Sequence, residues 1–177
     1  MQHRDLIKSL KIELAKVRSP MTVYSVGSIA SGCSDGHSDI DLIFVVDQNK
    51  FKDSIPRILK LIDSTSGHPL YSRLKTWKKL KIAKLDLLTQ DYRQFDILIC
   101  ETGSIVKIRK PYRKLFGPSE LSSRNLSNKF HIKSVDYKPL LYGKRDLPFD
   151  ILAALRASLR GDNKTASAII KSLAKVI

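Results

Sequence analysis

The sequence predicts an α/β fold of the α+β type, in which a small mixed β-sheet is flanked by helices and followed by a C-terminal helical extension. Two patterns lead to this prediction. Apolar residues recur at helical spacing at both ends of the chain, and short runs of β-branched and aromatic residues lie between glycines and turn residues. Hydrophobic residues make up 42% of the 177 residues, which is enough for a buried core and excludes a wholly disordered chain.

The N-terminal half alternates predicted helices and strands. Residues 3–18 are expected to form an amphipathic helix, followed by strands at 22–26 and 40–46 with a loop of small and polar residues between them. A second helix is predicted at 54–63, with Pro56 in its first turn, where a missing backbone N–H is tolerated. The apolar stripe of the first helix consists of Leu6, Leu10, Leu14 and Val17.

The C-terminal half predicts one longer strand and further helices. Residues 79–89 are expected to form the strand, and Asp91 is expected to cap a helix that runs to about Ile99. A short strand, a basic turn and a loop are predicted within 103–121. Two apolar stripes then predict a helical hairpin at 148–177.

The hairpin follows from the residues between its two stripes. Gly161 is a good helix stop, and Asp162 or Asn163 can cap the second helix. We expect residues 1–100 to form the core domain and residues 101–177 to form a basic extension packed on it. The stripes consist of Ile151, Leu152, Leu155 and Leu159 in the first helix, and of Ala166, Ile169, Ile170, Leu173 and Ile177 in the second.

The chain has a net charge of +15, from 32 Lys and Arg against 17 Asp and Glu. Such a charge attracts polyanions, although a soluble protein from a lysine-rich proteome would show it as well. The densest basic runs, 75–84 and 107–114, contain Trp77 and Tyr112, whose rings can stack on bases. We expect these runs to line a path for RNA or tRNA; solvated faces, or cations that bind a triphosphate, are the alternatives.

The cysteines and the N-terminal segment bear on the compartment. Cys33 and Cys100 are too few for a disulfide framework and lack metal-ligand spacing, which favours a reducing compartment. The first residues carry charges throughout, unlike a signal peptide, and no apolar run approaches the roughly 18 residues of a membrane span. We therefore expect a cytoplasmic protein without a membrane partner.

The residues that carry chemistry flank the second predicted strand. Asp39 and Asp41 lie two residues apart at its start, so both carboxylates should leave one face of the strand. Two carboxylates this close repel each other unless a cation lies between them. Mg²⁺ and Mn²⁺ prefer oxygen ligands of this kind. Upstream, Gly27 lets the backbone approach a phosphate closely, and Ser28 can donate hydrogen bonds to its oxygens. The pattern predicts a binding site for a nucleoside triphosphate with its metal ions.

The stretch VGSIASGCSDGHSDIDLIFVV, residues 26–46, resembles the signature of the nucleotidyltransferase superfamily, which includes DNA polymerase beta, CCA-adding enzymes, poly(A) polymerases and minimal nucleotidyltransferases. The resemblance implies that residues 1–100 form the catalytic domain. It also implies a third carboxylate on a later strand, for which Asp86 in the run KIAKLDLLT is the candidate. The expected metal-binding and catalytic residues are Asp39, Asp41 and Asp86, and the expected nucleotide-binding residues are Gly27, Ser28 and Ser38.

The resemblance implies transfer of a nucleoside monophosphate from a nucleoside triphosphate to a hydroxyl, assisted by two metal ions. The net charge favours RNA or tRNA as the acceptor. Two other functions stay open. A minimal nucleotidyltransferase of the toxin–antitoxin type would modify a partner protein. A non-catalytic nucleic-acid-binding module would use the hairpin 148–177 as half of a helix-turn-helix.

Overall fold

The structure is a computed structural model, and it divides the chain into two compact units, Met1–His131 and Ile132–Ile177. The predicted boundary at residue 100 and the packing of the extension on the core stay predictions. The residues that the structure describes are 3–17, 21–36, 38–103, 108–118, 126–130 and 147–174.

A six-stranded mixed sheet forms the centre of the first unit, with strand order β3-β4-β5-β2-β1-β7. Strands β2 and β5 are parallel, and the other neighbours in this sheet are antiparallel. The predicted fold class, a mixed sheet flanked by helices, is confirmed. The strands are β1 (Met21–Val26), β2 (Ile40–Val46), β3 (Pro69–Trp77), β4 (Ile82–Thr89), β5 (Gln94–Glu101), β6 (Ile108–Lys110), β7 (Tyr112–Phe116) and β8 (Leu126–Phe130), where β6 and β8 pair as a separate two-stranded sheet.

Two long helices cover one face of the large sheet. They are α1 (His3–Lys16) and α3 (Phe51–Ser66), and both contribute to one apolar cluster with the sheet. Alternate residues of the strands, such as Leu42 and Phe44 on β2, point into this cluster and are almost fully buried. We call this side the helix-covered face. The residues between them, beginning with Asp41 on β2, point to the opposite side, which we call the site face.

The predictions for the first half are confirmed with three changes. Helix α3 begins at Phe51, because that side chain is buried in the core, so Pro56 lies in the second turn and the prediction of a first-turn proline is wrong. The predicted loop between β1 and β2 begins with a short helix, α2 (Gly27–Ser31). Strand β3 was not predicted at all, and a 3₁₀ turn, Lys78–Leu80, connects it to β4.

The predicted helix from Asp91 to Ile99 is wrong. This segment is strand β5, joined to β4 by a tight turn in which the Thr89 N–H donates to the Arg93 carbonyl over 2.9 Å. Tyr92 adopts the left-handed conformation that the turn requires, with φ of 59°. Phe95, like the apolar residues at every second position after it, is buried on the helix-covered face, which is the period of a strand and not of a helix.

The second unit contains the predicted helical hairpin. Its helices are α4 (Leu147–Leu159) and α5 (Asn163–Leu173), and Gly161 between them has a φ of +76°. The Asp162 side chain caps α5 by accepting a hydrogen bond of 3.0 Å from the Thr165 N–H. Ile177 lies outside the described residues. Among the helices of the described part of the chain, none has the length and apolar character that crossing a membrane requires.

Candidate active site

The Gly-Ser pair lies where β1 ends and α2 begins. Gly27 has a φ of +65°, and a methyl group on its Cα would lie within 3.0 Å of Oδ2 of Asp41 and 3.4 Å from its Cγ. Any larger residue would be strained at this φ and would displace the carboxylate, so glycine is favoured here. The Ser28 carbonyl accepts hydrogen bonds from the Cys33 N–H over 3.0 Å and from the Ser31 hydroxyl over 2.9 Å, which closes the turn after α2. The backbone of the motif is thus fixed directly against Asp41.

Asp39 and Asp41 flank the first residue of β2. Ile40 and Leu42 are buried on the helix-covered face, whereas both acids are partly exposed. Because side chains alternate along a strand, Asp39 and Asp41 share the site face. Gly27 thus lies against Asp41, and Asp39 is near enough to Asp96 for its charge to help raise the pKa of that carboxyl.

A row of acidic side chains crosses three neighbouring strands at the level of Asp41. Asp41 on β2 pairs with Asp96 on β5, Asp96 pairs with Asp86 on β4, and Asp86 pairs with Arg73 on β3. Directly paired residues of adjacent strands point to the same side of a sheet, so all four share the site face. We call Asp41, Asp96 and Asp86 the acidic row. Neighbouring strands lie about 4.8 Å apart, so the row extends over roughly 10 Å.

Asp86, the predicted third metal ligand, is at the far end of this row from Asp41. Its side chain is 5% exposed, and its Oδ2 accepts from Nε and Nη2 of Arg73 over 2.8 and 2.5 Å. The Nζ of Lys84 lies 3.6 Å from its Oδ1. These contacts are those of a buried ion pair on the sheet. The role of Asp86 as a metal ligand stays a prediction.

Asp96 is the residue that sequence reasoning missed, and it stands between the other two acids of the row. Its Oδ2 accepts a hydrogen bond of 2.8 Å from Nζ of Lys84. Burial raises the pKa of Asp96 above 3.8; the charge and hydrogen bond of Lys84 oppose this shift, and the charges of Asp86 and Asp39 add to it. The alternation of QFDILIC, residues 94–100, is the sequence signal that could have identified it as a strand residue.

The donors at this site suit a hard divalent cation. Mg²⁺ commonly takes one or two protein carboxylates and completes its shell with water and substrate phosphate oxygens, and Asp39 and Asp41, with Asp96 beside them, offer such oxygens. Within the described residues, however, no three His, Cys, Asp or Glu side chains converge into a metal-binding group. The oxygen donors present suit a divalent cation that would complete its shell with ligands from outside the protein.

Ser38, predicted to bind the nucleotide, closes the loop before β2. It is buried, its hydroxyl donates to Oδ1 of Asp35 over 2.8 Å, and it accepts from the Asp35 N–H over 3.0 Å. These bonds hold the backbone just ahead of Asp39. Binding of the nucleotide by Ser38 stays a prediction.

The two basic runs differ in what their aromatic residues contact. Tyr112 on β7 packs edge-to-face on Tyr24, with ring centroids 6.0 Å apart, and so belongs to an apolar cluster on the site face. Trp77 at the end of β3 is 37% exposed, and Nζ of Lys75 lies 5.2 Å from its ring centroid. Lys107 and the side chain of Arg109 lie outside the described residues.

No protein-family model and no curated protein matches this sequence, whereas solved structures do match the fold. The chain is similar to a Cid1 poly(U) polymerase with magnesium and 3′-dATP bound, at 20% identity and a TM-score of 0.41, over 54% of this chain and 29% of that one. It is similar to terminal uridylyl transferase 4 from Trypanosoma brucei with bound dUTP, at 13% identity and a TM-score of 0.36, over 55% and 34%. It is also similar to a cytoplasmic RNA terminal U-transferase, at 18% identity and a TM-score of 0.40, over 54% and 27%.

These three proteins are named as a poly(U) polymerase and as terminal uridylyl transferases. This chain spans between 27% and 34% of their length. Their identities and TM-scores are too low to carry residue roles or substrates over to this chain.

Proposed function

We propose that this protein is a metal-dependent nucleotidyltransferase that moves a nucleoside monophosphate from a nucleoside triphosphate to a hydroxyl group of RNA. One observation carries the proposal. Asp41 shares the site face with Asp96, its partner on the adjacent strand, the charge of Asp39 acts on Asp96, and Gly27 lies directly against Asp41. A sheet that places carboxylates in register beside a turn able to approach phosphate suits the binding of a triphosphate with its cation.

The residues of the site divide by role. Asp39 and Asp41 would hold Mg²⁺ or Mn²⁺ together with the triphosphate, and Asp96 would complete the acidic set. The bound metal supplies Lewis-acid stabilisation of the attacking and leaving oxygens. Gly27 gives the phosphates close access to the backbone, and the Ser28 hydroxyl donates to their oxygens. Asp86 pairs with Arg73 at the far end of the acidic row, and its role as a third metal ligand stays a prediction.

The proposed reaction is an in-line displacement at the α-phosphorus. The acceptor hydroxyl oxygen forms the new bond, the bond from the α-phosphorus to the bridging oxygen breaks, and pyrophosphate leaves. The hydroxyl proton passes to a base, for which Asp96 is the best-placed group beside Asp41. The burial that raises the pKa of Asp96 suits this role.

The charge of the chain supports RNA as the acceptor. A net charge of +15 attracts a polyanion and repels a cationic small molecule. A cationic acceptor would need an acidic protein surface around the site, which a chain of this charge does not favour. A hydroxyl on a partner protein remains a separate outcome of the test.

A transfer assay tests the proposal. The protein is incubated with each of four α-labelled nucleoside triphosphates, Mg²⁺ or Mn²⁺ and total RNA, in parallel with the Asp39→Ala/Asp41→Ala variant. We expect label in RNA with the wild type alone. Label in protein instead of RNA would identify a protein-modifying enzyme. Absence of label in any acceptor, with both proteins folded, would refute the proposal.

A second candidate is a nucleic-acid-binding module without catalysis. It is favoured by the finding that no three metal-ligating side chains converge among the residues described by the structure. This candidate predicts that the wild type and the Asp39→Ala/Asp41→Ala variant bind RNA equally well and that neither transfers a nucleotide. The same assay, with RNA binding measured alongside, separates the two functions.

A further inference from the structure

Strand β3 carries its charges on one face only. Because Arg73 pairs with Asp86, the residues of β3 that share the site face are Tyr71, Arg73, Lys75 and Trp77. The alternate positions on the helix-covered face carry no charge, and they are Ser72, Leu74 and Thr76.

The site-face residues of β3 run from the acidic row toward Trp77. Trp77 lies four positions after Arg73, which corresponds to about 13 Å along a strand. Lys75 lies between them and is exposed, and its ammonium group lies 5.2 Å from the centre of the indole ring. We call Arg73, Lys75 and Trp77 the β3 strip. One end of the strip touches the acidic row through Asp86, and the other presents an exposed aromatic ring.

Protection of a sheet edge is the alternative explanation, because β3 is an edge strand and lysines on edge strands discourage aggregation. Edge protection does not require an exposed tryptophan, which works against it. It also does not require that the charges lie on the face that carries the carboxylates. The segment continues with exposed Lys78 and Lys79, and no acidic residue occurs from Pro69 to Leu80. This pattern is typical of a surface that binds a single-stranded nucleic acid, whose phosphates are negative and whose bases are free to stack.

We infer that the β3 strip binds the single-stranded part of the RNA acceptor and leads its end to the acidic row. This inference rests on the proposed function for the identity of the reaction. A base stacks on the Trp77 ring, since aromatic side chains accept any base, and Lys75 contacts a neighbouring phosphate. Duplex RNA cannot use the strip in this way, because its bases are already stacked on one another.

The test measures binding of a fluorescein-labelled, short single-stranded oligouridylate by fluorescence anisotropy at several salt concentrations. The variants are Trp77→Ala, Trp77→Phe and Lys75→Gln. The matched control is Lys60→Gln, which removes one positive charge from an exposed position of α3 on the helix-covered face. A hairpin duplex of the same length serves as the second probe, and thermal unfolding confirms that each variant is folded.

Two different signatures are expected. Trp77→Ala should raise the Kd for the single strand by roughly 5-fold to 150-fold, the range for loss of one stacked base, and Trp77→Phe should restore most of it. Lys75→Gln should reduce the slope of log Kd against log salt by about 0.7, the value for one phosphate contact on a single strand. Neither variant should affect duplex binding more than Lys60→Gln does.

The inference is overturned if folded Trp77→Ala and Lys75→Gln bind the single strand as Lys60→Gln does. It is also overturned if the wild type does not bind the single strand in preference to the duplex. The proposed function is judged separately by label transfer. If the wild type transfers label to RNA while the strip variants bind normally, only the binding role of the β3 strip is refuted. If the wild type transfers no label to any acceptor, the proposed nucleotidyltransferase function is refuted.

Discussion

The contact between Gly27 and Asp41 makes the Gly27→Ala variant the sharpest single test of the site. Two effects follow from one methyl group. The first is backbone strain, since alanine at a φ of +65° costs roughly 1–2 kcal/mol. The second is displacement of the carboxylate, since the new Cβ would lie within 3.0 Å of Oδ2 of Asp41.

Both effects can be given a size. For a chain of this length, 1 kcal/mol changes the Tm by roughly 2–4 °C, so the strain should lower the Tm by about 2–8 °C. The contact must relax to an ordinary separation of about 3.4 Å, which moves Oδ2 of Asp41 by about 1 Å. A misplacement of about 1 Å at a reacting centre can reduce the rate about 100-fold.

Gly32→Ala is the matched control. Gly32 ends α2 with a φ of +76°, and a methyl group there would meet no atom within 4 Å. Both variants should therefore lose similar stability, measured by thermal unfolding, whereas only Gly27→Ala should lose nucleotide transfer about 100-fold. Equal transfer rates in the two folded variants would show that the position of Asp41 does not control the reaction, and the reasoning would fail.

Three further predictions concern the charged residues. Asp86→Asn should lower the free energy of unfolding by about 2–3 kcal/mol. This is less than the ~3–5 kcal/mol for breaking a fully buried ion pair, because 28% of the Arg73 side chain is exposed. Denaturant titration measures the change, and an unchanged midpoint would contradict the prediction. Because the pKa of Asp96 is raised, the folded state binds the proton of this carboxyl more tightly than the unfolded state does. The contribution of Asp96 to the free energy of unfolding therefore falls as the pH rises from about 3.8 through the raised pKa. Asp96→Asn should remove that part of the pH dependence, and a thermal-unfolding series that keeps the wild-type slope would disprove the assignment. Asp162→Ala should increase amide exchange in the first turn of α5 without changing nucleotide transfer, because it removes the hydrogen bond that caps the Thr165 N–H; unchanged exchange there would argue against the cap.

The motif and its flanking strands could be predicted because local rules determine them. Apolar residues at helical spacing gave α1, a β-branched run ended by Gly27 gave β1, and an apolar run before the turn at 47–50 gave β2. The i and i+2 spacing of Asp39 and Asp41 required one shared face whatever the rest of the fold. The hairpin of α4 and α5 followed from Gly161, which is itself a local signal.

Strand β5 could not be predicted in the same way. Asp91 is a plausible helix cap, and the run after it is apolar enough for either structure, so only pairing with β2 and β4 decides. That pairing is non-local and brings together residues 55 positions apart, Asp41 and Asp96. Asp86 looked like a strand carboxylate and is one, but its partner Arg73 lies on β3, a strand that the sequence pattern did not reveal.

The acidic row explains why two carboxylates on neighbouring strands should respond to mutation with opposite signs. Like charges placed directly opposite each other on adjacent strands destabilise a sheet, and the row contains two such pairs in succession. Arg73 compensates Asp86 with two hydrogen bonds, whereas burial and its acidic neighbours keep the pKa of Asp96 raised despite Lys84. Neutralising Asp86 therefore removes a stabilising pair, while neutralising Asp96 removes the cost of a buried charge and of its repulsion by acidic neighbours, which exceeds the contribution of its pair with Lys84. A fold retains a destabilising charge where its chemistry needs one, so a variant that gains stability at neutral pH and loses transfer would mark Asp96 as the working member of the row.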